Sequence, residues 1–230
     1  MKILILGTNI KTLVNFRGLL IQDIIKKDID VMAASSVPDS DSFINISKFG
    51  VTYKTIHLQR NGLSLTGDIR TFVNLLKLLK NQKPNLVLAY GIKLIIWGGL
   101  SARLTRTPFF ALITGLGFAF QGDSLKRKFL TKLVTFLYKI ALKNSKSVIF
   151  QNKDNQNTFI DKGIVPRSKT HIVNGSGVDI KKYSVTKFPK AHVSFLCISR
   201  LLSEKGLREY AAAARIVKDK FPNAKFNLVG

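Results

Sequence analysis

Acidic residues are scarce in this chain: 13 Asp and Glu stand against 37 Lys and Arg in 230 residues, a net charge of +24 with histidine neutral. So large an excess calls for an anionic counterpart, and nucleic acid, lipid headgroups and polyphosphate substrates all qualify. A single cysteine, Cys197, excludes an internal disulfide framework. With only His57, His171 and His192 beside it, no Cys/His set has zinc spacing, and no metal site is expected. Long apolar runs are missing too. The run Met1–Gly7 is shorter than a signal-peptide core and no small-residue cleavage site follows it, which reads as a cytosolic start. The longest apolar stretch, Leu86–Leu104, is interrupted by Lys93, Arg103 and three glycines, whereas a spanning helix needs roughly 18 uninterrupted apolar residues. What is present is enough apolar material, 46%, to build a core, which excludes a disordered polycation.

Short apolar runs alternate with longer segments of helical periodicity. The pattern predicts strands over 3–6, 29–34, 52–57, 86–89, 109–114, 147–150 and 170–173, and helices over 16–27, 68–82, 92–105, 124–144 and 154–161. Fully apolar strands alternating with helices imply an α/β fold with a doubly wound parallel sheet, Rossmann-like, covered on both faces. Residues 1–173 make that first domain. Asn174-Gly175-Ser176-Gly177 and the stretch up to residue 192 read as a linker, and 193–230 as one βαβ unit: strand 193–199, helix 205–220, strand 225–229. One such unit is far short of the usual 100 or so residues of a domain, so an incomplete second Rossmann-like domain is expected. Cys197 falls in its first strand and is expected buried and inert.

Two cations draw attention at Cys197-Ile198-Ser199-Arg200-Leu201-Leu202-Ser203-Glu204-Lys205-Gly206. Arg200 and Lys205 follow the carboxyl end of a parallel strand and precede a helix amino terminus, where backbone N–H groups already favour an anion such as a diphosphate. The alternative is a strand end with solvated side chains. Elsewhere, Gly115-Leu116-Gly117 lacks the third glycine and following acid of a dinucleotide fingerprint, and Lys11–Arg17 lacks a phosphate-loop Gly-Lys-Ser/Thr. No helix-turn-helix, RNA-binding or zinc-finger signature accompanies the charge, so nucleic acid is not expected as a partner.

Arg200-Leu201-Leu202-Ser203-Glu204-Lys205-Gly206, with Asn174-Gly175-Ser176-Gly177-Val178-Asp179 before it, resembles signatures of the family 4 glycosyltransferases, whose GT-B architecture sets two Rossmann-like domains face to face. Asn15-Phe16-Arg17-Gly18, Ser101-Ala102-Arg103-Leu104, Thr114-Gly115-Leu116-Gly117-Phe118 and Phe150-Gln151-Asn152 are similar to the branch that extends polyprenyl-diphosphate-linked sugars in bacterial surface-glycan assembly. The resemblance implies transfer of a hexose or N-acetylhexosamine from a nucleotide diphosphate sugar, a UDP-sugar, to a lipid-linked saccharide. It also implies retention of configuration, no cofactor, and no metal, because Arg200 and Lys205 hold the donor diphosphate. It makes residues 1–173 the acceptor side and puts Gly18 in a glycine loop after the first strand, beside the plain reading of a turn or helix-start glycine. The family's Glu-x7-Glu pair is absent, since Glu204 and Glu209 come too early and five apart, and the family's loop histidine is missing around Thr114–Phe120. No catalytic acid or base is therefore assigned, and the 230-residue chain is expected to be inactive or impaired. A noncatalytic, basic membrane- or partner-binding remnant of such an enzyme is the alternative.

Further candidates lie on the acceptor side. Arg60 and Lys93 follow the third and fourth strands, at the edge where open parallel sheets bind ligands, and are candidates for acceptor phosphate. Asp123, the acid nearest the place of the missing loop histidine, is a further acceptor-side candidate, beside its reading as a helix cap. The segment Ser124–Ser147 has seven Lys or Arg, no acid, and Leu125, Phe129, Leu133, Phe136, Leu137 and Ile140 at helical spacing. It reads either as a helix burying that stripe on the sheet or as one lying on anionic membrane at the cytoplasmic face through Lys126, Arg127 and Lys128. Phe118 and Phe120, in a loop, are candidates for lipid or prenyl contact.

Overall fold

Strand β1 (Lys2–Leu6) is apolar at every position after Lys2, and those four side chains are buried, as a strand covered on both faces requires. Around it the computed structural model describes residues 1–37, 44, 46–59, 64–117, 120, 124–187, 193–199, 201–202 and 205–230. They divide into two units, Met1–Gly177 and Val178–Gly230.

In the first unit β1 is joined by β2 (Asp30–Ser35), β3 (Thr52–Thr55), β4 (Leu86–Tyr90), β5 (Phe109–Ile113), β6 (Ser147–Phe150) and β7 (Thr170–Ile172). The order is β3-β2-β1-β4-β5-β6-β7 and every pairing is parallel. This is the doubly wound sheet expected from the alternation. Ile3 is in register with Val31 on one side and Leu86 on the other. Alternate strand residues feed opposite cores, as the two-residue period dictates. Ile3, Ile5, Val31 and Ala33 pack with Ile10, Leu13 and Ile21 of α1 (Ile10–Ile25). Leu4, Leu6, Val87 and Ala89 pack with α2 (Leu65–Gln82), α3 (Ile92–Thr105), α4 (Leu125–Leu142) and α5 (Lys153–Asp161). Among the described residues no helix is long and apolar enough to cross a membrane.

Two helices differ from the sequence reading in ways that matter for function. Helix α1 starts at Ile10 rather than 16, because Asn9 caps it: the Asn9 side chain accepts from the Thr12 N–H at 2.8 Å. Gly18 therefore lies inside a helix, where a Cβ would stand 3.3 Å from the Phe49 ring, and the expected placement in a glycine loop is corrected. The glycine serves close packing of α1 on Phe49.

Helix α4 has two apolar stripes, not one. Val134, Tyr138, Ala141 and Leu142 are buried, with Leu130 and Leu137 packed against the same core. Of the stripe named from the sequence, Leu137 meets the core, while Leu125, Phe129 and Phe136 face outward, 85%, 71% and 59% exposed. The sheet takes the arc that includes Tyr138, whose ring meets Phe159 edge-on at 5.0 Å, and this leaves the neighbouring arc in solvent.

The second unit holds β8 (Ser194–Ile198), α6 (Leu207–Lys220) and β9 (Lys225–Val229), with β8 and β9 parallel. Phe195 and Phe226 stack at 4.8 Å, and Tyr210 meets the edge of the Phe226 ring at 5.9 Å. Cys197 is half-buried rather than fully buried, since only one face of this small sheet carries a helix.

Candidate functional site

Strand order reverses between β1 and β4: the chain moves outward through β2 and β3 on one side and through β5, β6 and β7 on the other. Their carboxyl ends leave a crevice there, the place where open α/β sheets bind ligands. A cleft of about 300 Å³ occupies it, lined by Thr8 after β1, Tyr90 and Gly91 at the end of β4, Thr114 after β5, Gln151 after β6, Phe16 and Arg17 of α1, and Ser176. Two glycines shape it. A Cβ on Gly7 would collide with the Tyr90 hydroxyl and stand 2.8 Å from Leu13, so only glycine lets the turn after β1 pass that ring. Gly91, at φ +87°, precedes the first turn of α3 and abuts Thr8, leaving that helix terminus without a side-chain cap.

Arg17 is the charged group of this cleft and is only 5% exposed. Its Nη1 donates to Phe16 O at 3.0 Å and to Ser176 Oγ at 2.8 Å. Its guanidinium carbon sits 5.2 Å from the centroid of the Tyr90 ring, a cation–π contact. Nε is buried with no hydrogen-bond partner. Burial pulls the Arg17 pKa down from its ordinary value, a sign of the cost of holding a cation out of water. The Tyr90 hydroxyl is hydrogen-bonded in turn to the Thr12 hydroxyl, 3.0 Å away, which also donates to Asn9 O. Burial pushes the Tyr90 pKa up to about 12, against the opposing pull of Thr12 and Arg17, and the phenol stays protonated. Ser176 also accepts from Gln151 Nε2 at 3.2 Å. The Asn174–Gly177 turn, read from the sequence as the beginning of a linker, is thus tied to the cleft, with Gly175 and Gly177 both at φ +75°.

The remaining candidates are dispersed. Lys93 is in the first turn of α3 and its Nζ stands 2.8 Å from Asp68 Oδ1 of α2, both side chains largely buried. The two atoms are within ion-pair distance but not aligned as a hydrogen bond, so the contact is Coulombic. The charge that the sequence offers to an acceptor phosphate is already countered by Asp68. Phe120, read from the sequence as a lipid-contact candidate, is partly buried: it packs against the core and stacks on Phe159 at 6.2 Å. Lys126 and Lys128 are exposed and Arg127 is half-buried, all in the first turn of α4, where Ser124 caps the helix by accepting from Arg127 N–H. In the second unit Lys205 is exposed, immediately before Gly206, which precedes α6 at φ +72°. Arg60, Phe118, Asp123 and Arg200 lie outside the described residues.

Arg17 and Tyr90, held together in this cleft, are not among the site candidates named from the sequence. The signal was present: Ile10, Leu13, Arg17, Gly18 and Ile21 form the buried stripe of α1, so Arg17 is a charged residue on an apolar face.

Residues 2–152 match the model of the family described as Glycosyl transferase 4-like. Over 212 residues the chain is 26% identical to the N,N'-diacetylbacillosaminyl-diphospho-undecaprenol alpha-1,3-N-acetylgalactosaminyltransferase of Campylobacter jejuni, covering 84% of this chain and 54% of that protein. Over 181 residues it is 26% identical to the UDP-Gal:alpha-D-GlcNAc-diphosphoundecaprenol alpha-1,3-galactosyltransferase of Escherichia coli, covering 73% of this chain and 46% of that protein. The chain thus spans about half the length of these curated relatives. Its fold is similar to that of Anabaena Alr3699/HepE, solved in complex with UDP and glucose, with a TM-score of 0.65 and 15% identity over 100% of this chain and 70% of that one. MurG of Acinetobacter baumannii aligns with a TM-score of 0.56 and 13% identity, over 100% of this chain and 66% of that chain. With the family model covering β1 through β6 and the cleft residues from Thr8 to Gln151, the chain belongs to the glycosyl transferase 4-like family.

Proposed function

We propose that this protein acts in the transfer of a hexose or N-acetylhexosamine from a UDP-sugar to an undecaprenyl-diphosphate-linked saccharide, in the assembly of a cell-surface glycan. The observation that carries this reading is the acceptor class shared by the two relatives. Both are named for transfer to a diphospho-undecaprenol sugar, and both align over most of this chain. Residues 1–173 form the acceptor side, with the cleft between β1 and β4 facing substrate. Arg200 and Lys205 hold the donor diphosphate. Fixed cations aimed at a leaving diphosphate stabilise the charge that develops in the transition state more than they stabilise bound substrate, and they take the place of a metal ion. Both relatives form alpha-1,3 linkages; from a donor of alpha configuration that outcome is retention.

A lipid-linked acceptor puts the reaction at a membrane surface, and α4 is suited to meet one at the cytoplasmic face. Lys126, Arg127 and Lys128 crowd the first turn of α4, which has no acid. The helix dipole disfavours positive charge there by about 0.3–1 kcal/mol per residue, a cost that an anionic lipid surface beside the exposed Lys126 and Lys128 would offset. Beside them Leu125, Phe129 and Phe136 present apolar surface to solvent. A basic strip next to an exposed apolar strip is the pattern of a helix lying in the headgroup region of anionic lipid.

The test offers labelled UDP-hexoses and UDP-N-acetylhexosamines to vesicles carrying undecaprenyl-diphosphate-linked N-acetylhexosamine, and measures both transfer and retention of the chain on the vesicles. The reading expects greater retention on acceptor-bearing vesicles than on matched vesicles without acceptor. Equal retention on both, with no transfer from any donor, overturns it.

A further inference from the structure

Arg17 is expensive where it stands. A buried guanidinium is ordinarily paired with a carboxylate, yet among the described residues no acid lines the cleft and none forms an ion pair with Arg17. Its contacts are neutral: a carbonyl, a serine hydroxyl and the face of a tyrosine ring. They fix the plane of the guanidinium while leaving Nε, 95% buried with the rest of the side chain, without a partner. A buried donor left unsatisfied costs about 1–3 kcal/mol, more when charged, which a ligand oxygen would offset. The surroundings agree in sign. Gly91, which precedes the 14-residue helix α3 and gives it no side-chain cap, lines the same cleft, so the positive end of that helix dipole borders the site. The Thr8 side chain borders it as well.

We propose that the cleft between β1 and β4 is an oxyanion site for a substrate diphosphate, anchored by the Arg17 guanidinium and the open terminus of α3. Size favours a diphosphate over a whole sugar nucleotide, because about 300 Å³ is at the lower limit of ligand pockets. Tyr90 is a positioning residue: its ring lies against Arg17 and its hydroxyl is held by Thr12, so it orients the cation without presenting charge of its own. The anion has two possible origins, the lipid diphosphate of the acceptor or the diphosphate of the donor. The inference rests on reading this cleft as a substrate site but requires no turnover, so its failure and that of the transferase reading are separable.

The test is an NMR titration of the isotopically labelled full chain with inorganic pyrophosphate, following the backbone amides of Thr8 and Gly91 and the Arg17 Nε–Hε signal. Saturable shifts at all three are expected. Arg17→Gln should lower the affinity read there at least tenfold, and Arg17→Lys, which keeps the charge but loses the planar fork, should lower it less. Lys205→Ala should leave these shifts in place, because it lies in the other unit. Absence of shifts at Thr8 and Gly91 in the unaltered chain overturns the proposal whatever the fate of the variants, as does a folded Arg17→Gln that binds as tightly. UDP and farnesyl diphosphate then compete against pyrophosphate. Displacement by farnesyl diphosphate supports the site and identifies the acceptor lipid as the source, and displacement by UDP supports it with the donor as the source. Displacement by neither overturns the assignment to a substrate diphosphate.

Discussion

Replacing Phe129 and Phe136 by serine separates the two jobs that a basic amphipathic helix can have. In the folded chain these rings are 71% and 59% exposed, so roughly two-thirds of their surface is already in water. Exposed substitutions of this kind change stability by about 0.5 kcal/mol or less. Full burial of a phenylalanine contributes about 1.5–3 kcal/mol. If the exposed share enters the acyl boundary of a bilayer, each ring contributes roughly 1–2 kcal/mol to membrane affinity, about 5- to 30-fold in partitioning. The double variant should therefore melt within a few degrees of the parent and sediment far less with phosphatidylglycerol-containing vesicles. Co-sedimentation at fixed lipid and a thermal melt on the same preparation decide it. A large loss of thermal stability with unchanged partitioning would refute the reasoning, because it would mean that the outward stripe of α4 belongs to a protein core.

Three further outcomes follow from the packing. Phe159 is fully buried, with Tyr138 at 5.0 Å and Phe150 at 5.2 Å, both edge-on; Phe159→Ala should lower unfolding free energy by about 3–5 kcal/mol in urea melts. Asp68→Ala strands the Lys93 ammonium between α2 and α3 and should cost roughly 2 kcal/mol, while Asp68→Ala with Lys93→Met recovers most of it. Burial raises the Tyr90 pKa from 10.0 to about 12, so in that interval the folded chain holds a proton that the unfolded chain releases. Stability falls as pH rises from about 10 to about 12, and Tyr90→Phe should flatten that part of the pH profile of the melting temperature.

Much of the fold was legible because parallel strands covered on both faces are apolar at consecutive positions. Leu86-Val87-Leu88-Ala89 after Pro84 and Phe109-Phe110-Ala111-Leu112 after Pro108 are short enough, and bounded closely enough, to read as strands. The first turns of α1 were harder. Ile10, Thr12 and Val14 are β-branched and weaken the helical signal, so the start is marked by the Asn9 cap rather than by periodicity. Helix α4 shows the limit of periodicity itself. Its apolar residues fill two adjoining arcs, and spacing alone does not say which of them the sheet takes. Arg17 was hidden by composition: in a chain with 37 Lys and Arg one more cation is unremarked, and only its position on the buried stripe of α1 sets it apart. Gly18, quoted beside it in the same motif, drew the attention instead and turned out to serve packing.

The pairing of Ile3 with Leu86 bears on how the chain reaches this state. The central seam joins segments more than 80 residues apart in sequence, and contacts of such long range slow folding, because the intervening chain must be ordered before they form. While the protein is being synthesised, β1 emerges before β4 and waits for it with one row of its backbone donors and acceptors unpaired, which is an invitation to wrong pairing. The slow, aggregation-exposed step is therefore the arrival of β4 at the nascent edge, and newly made chains should depend on chaperones most in the interval before residue 90 is available.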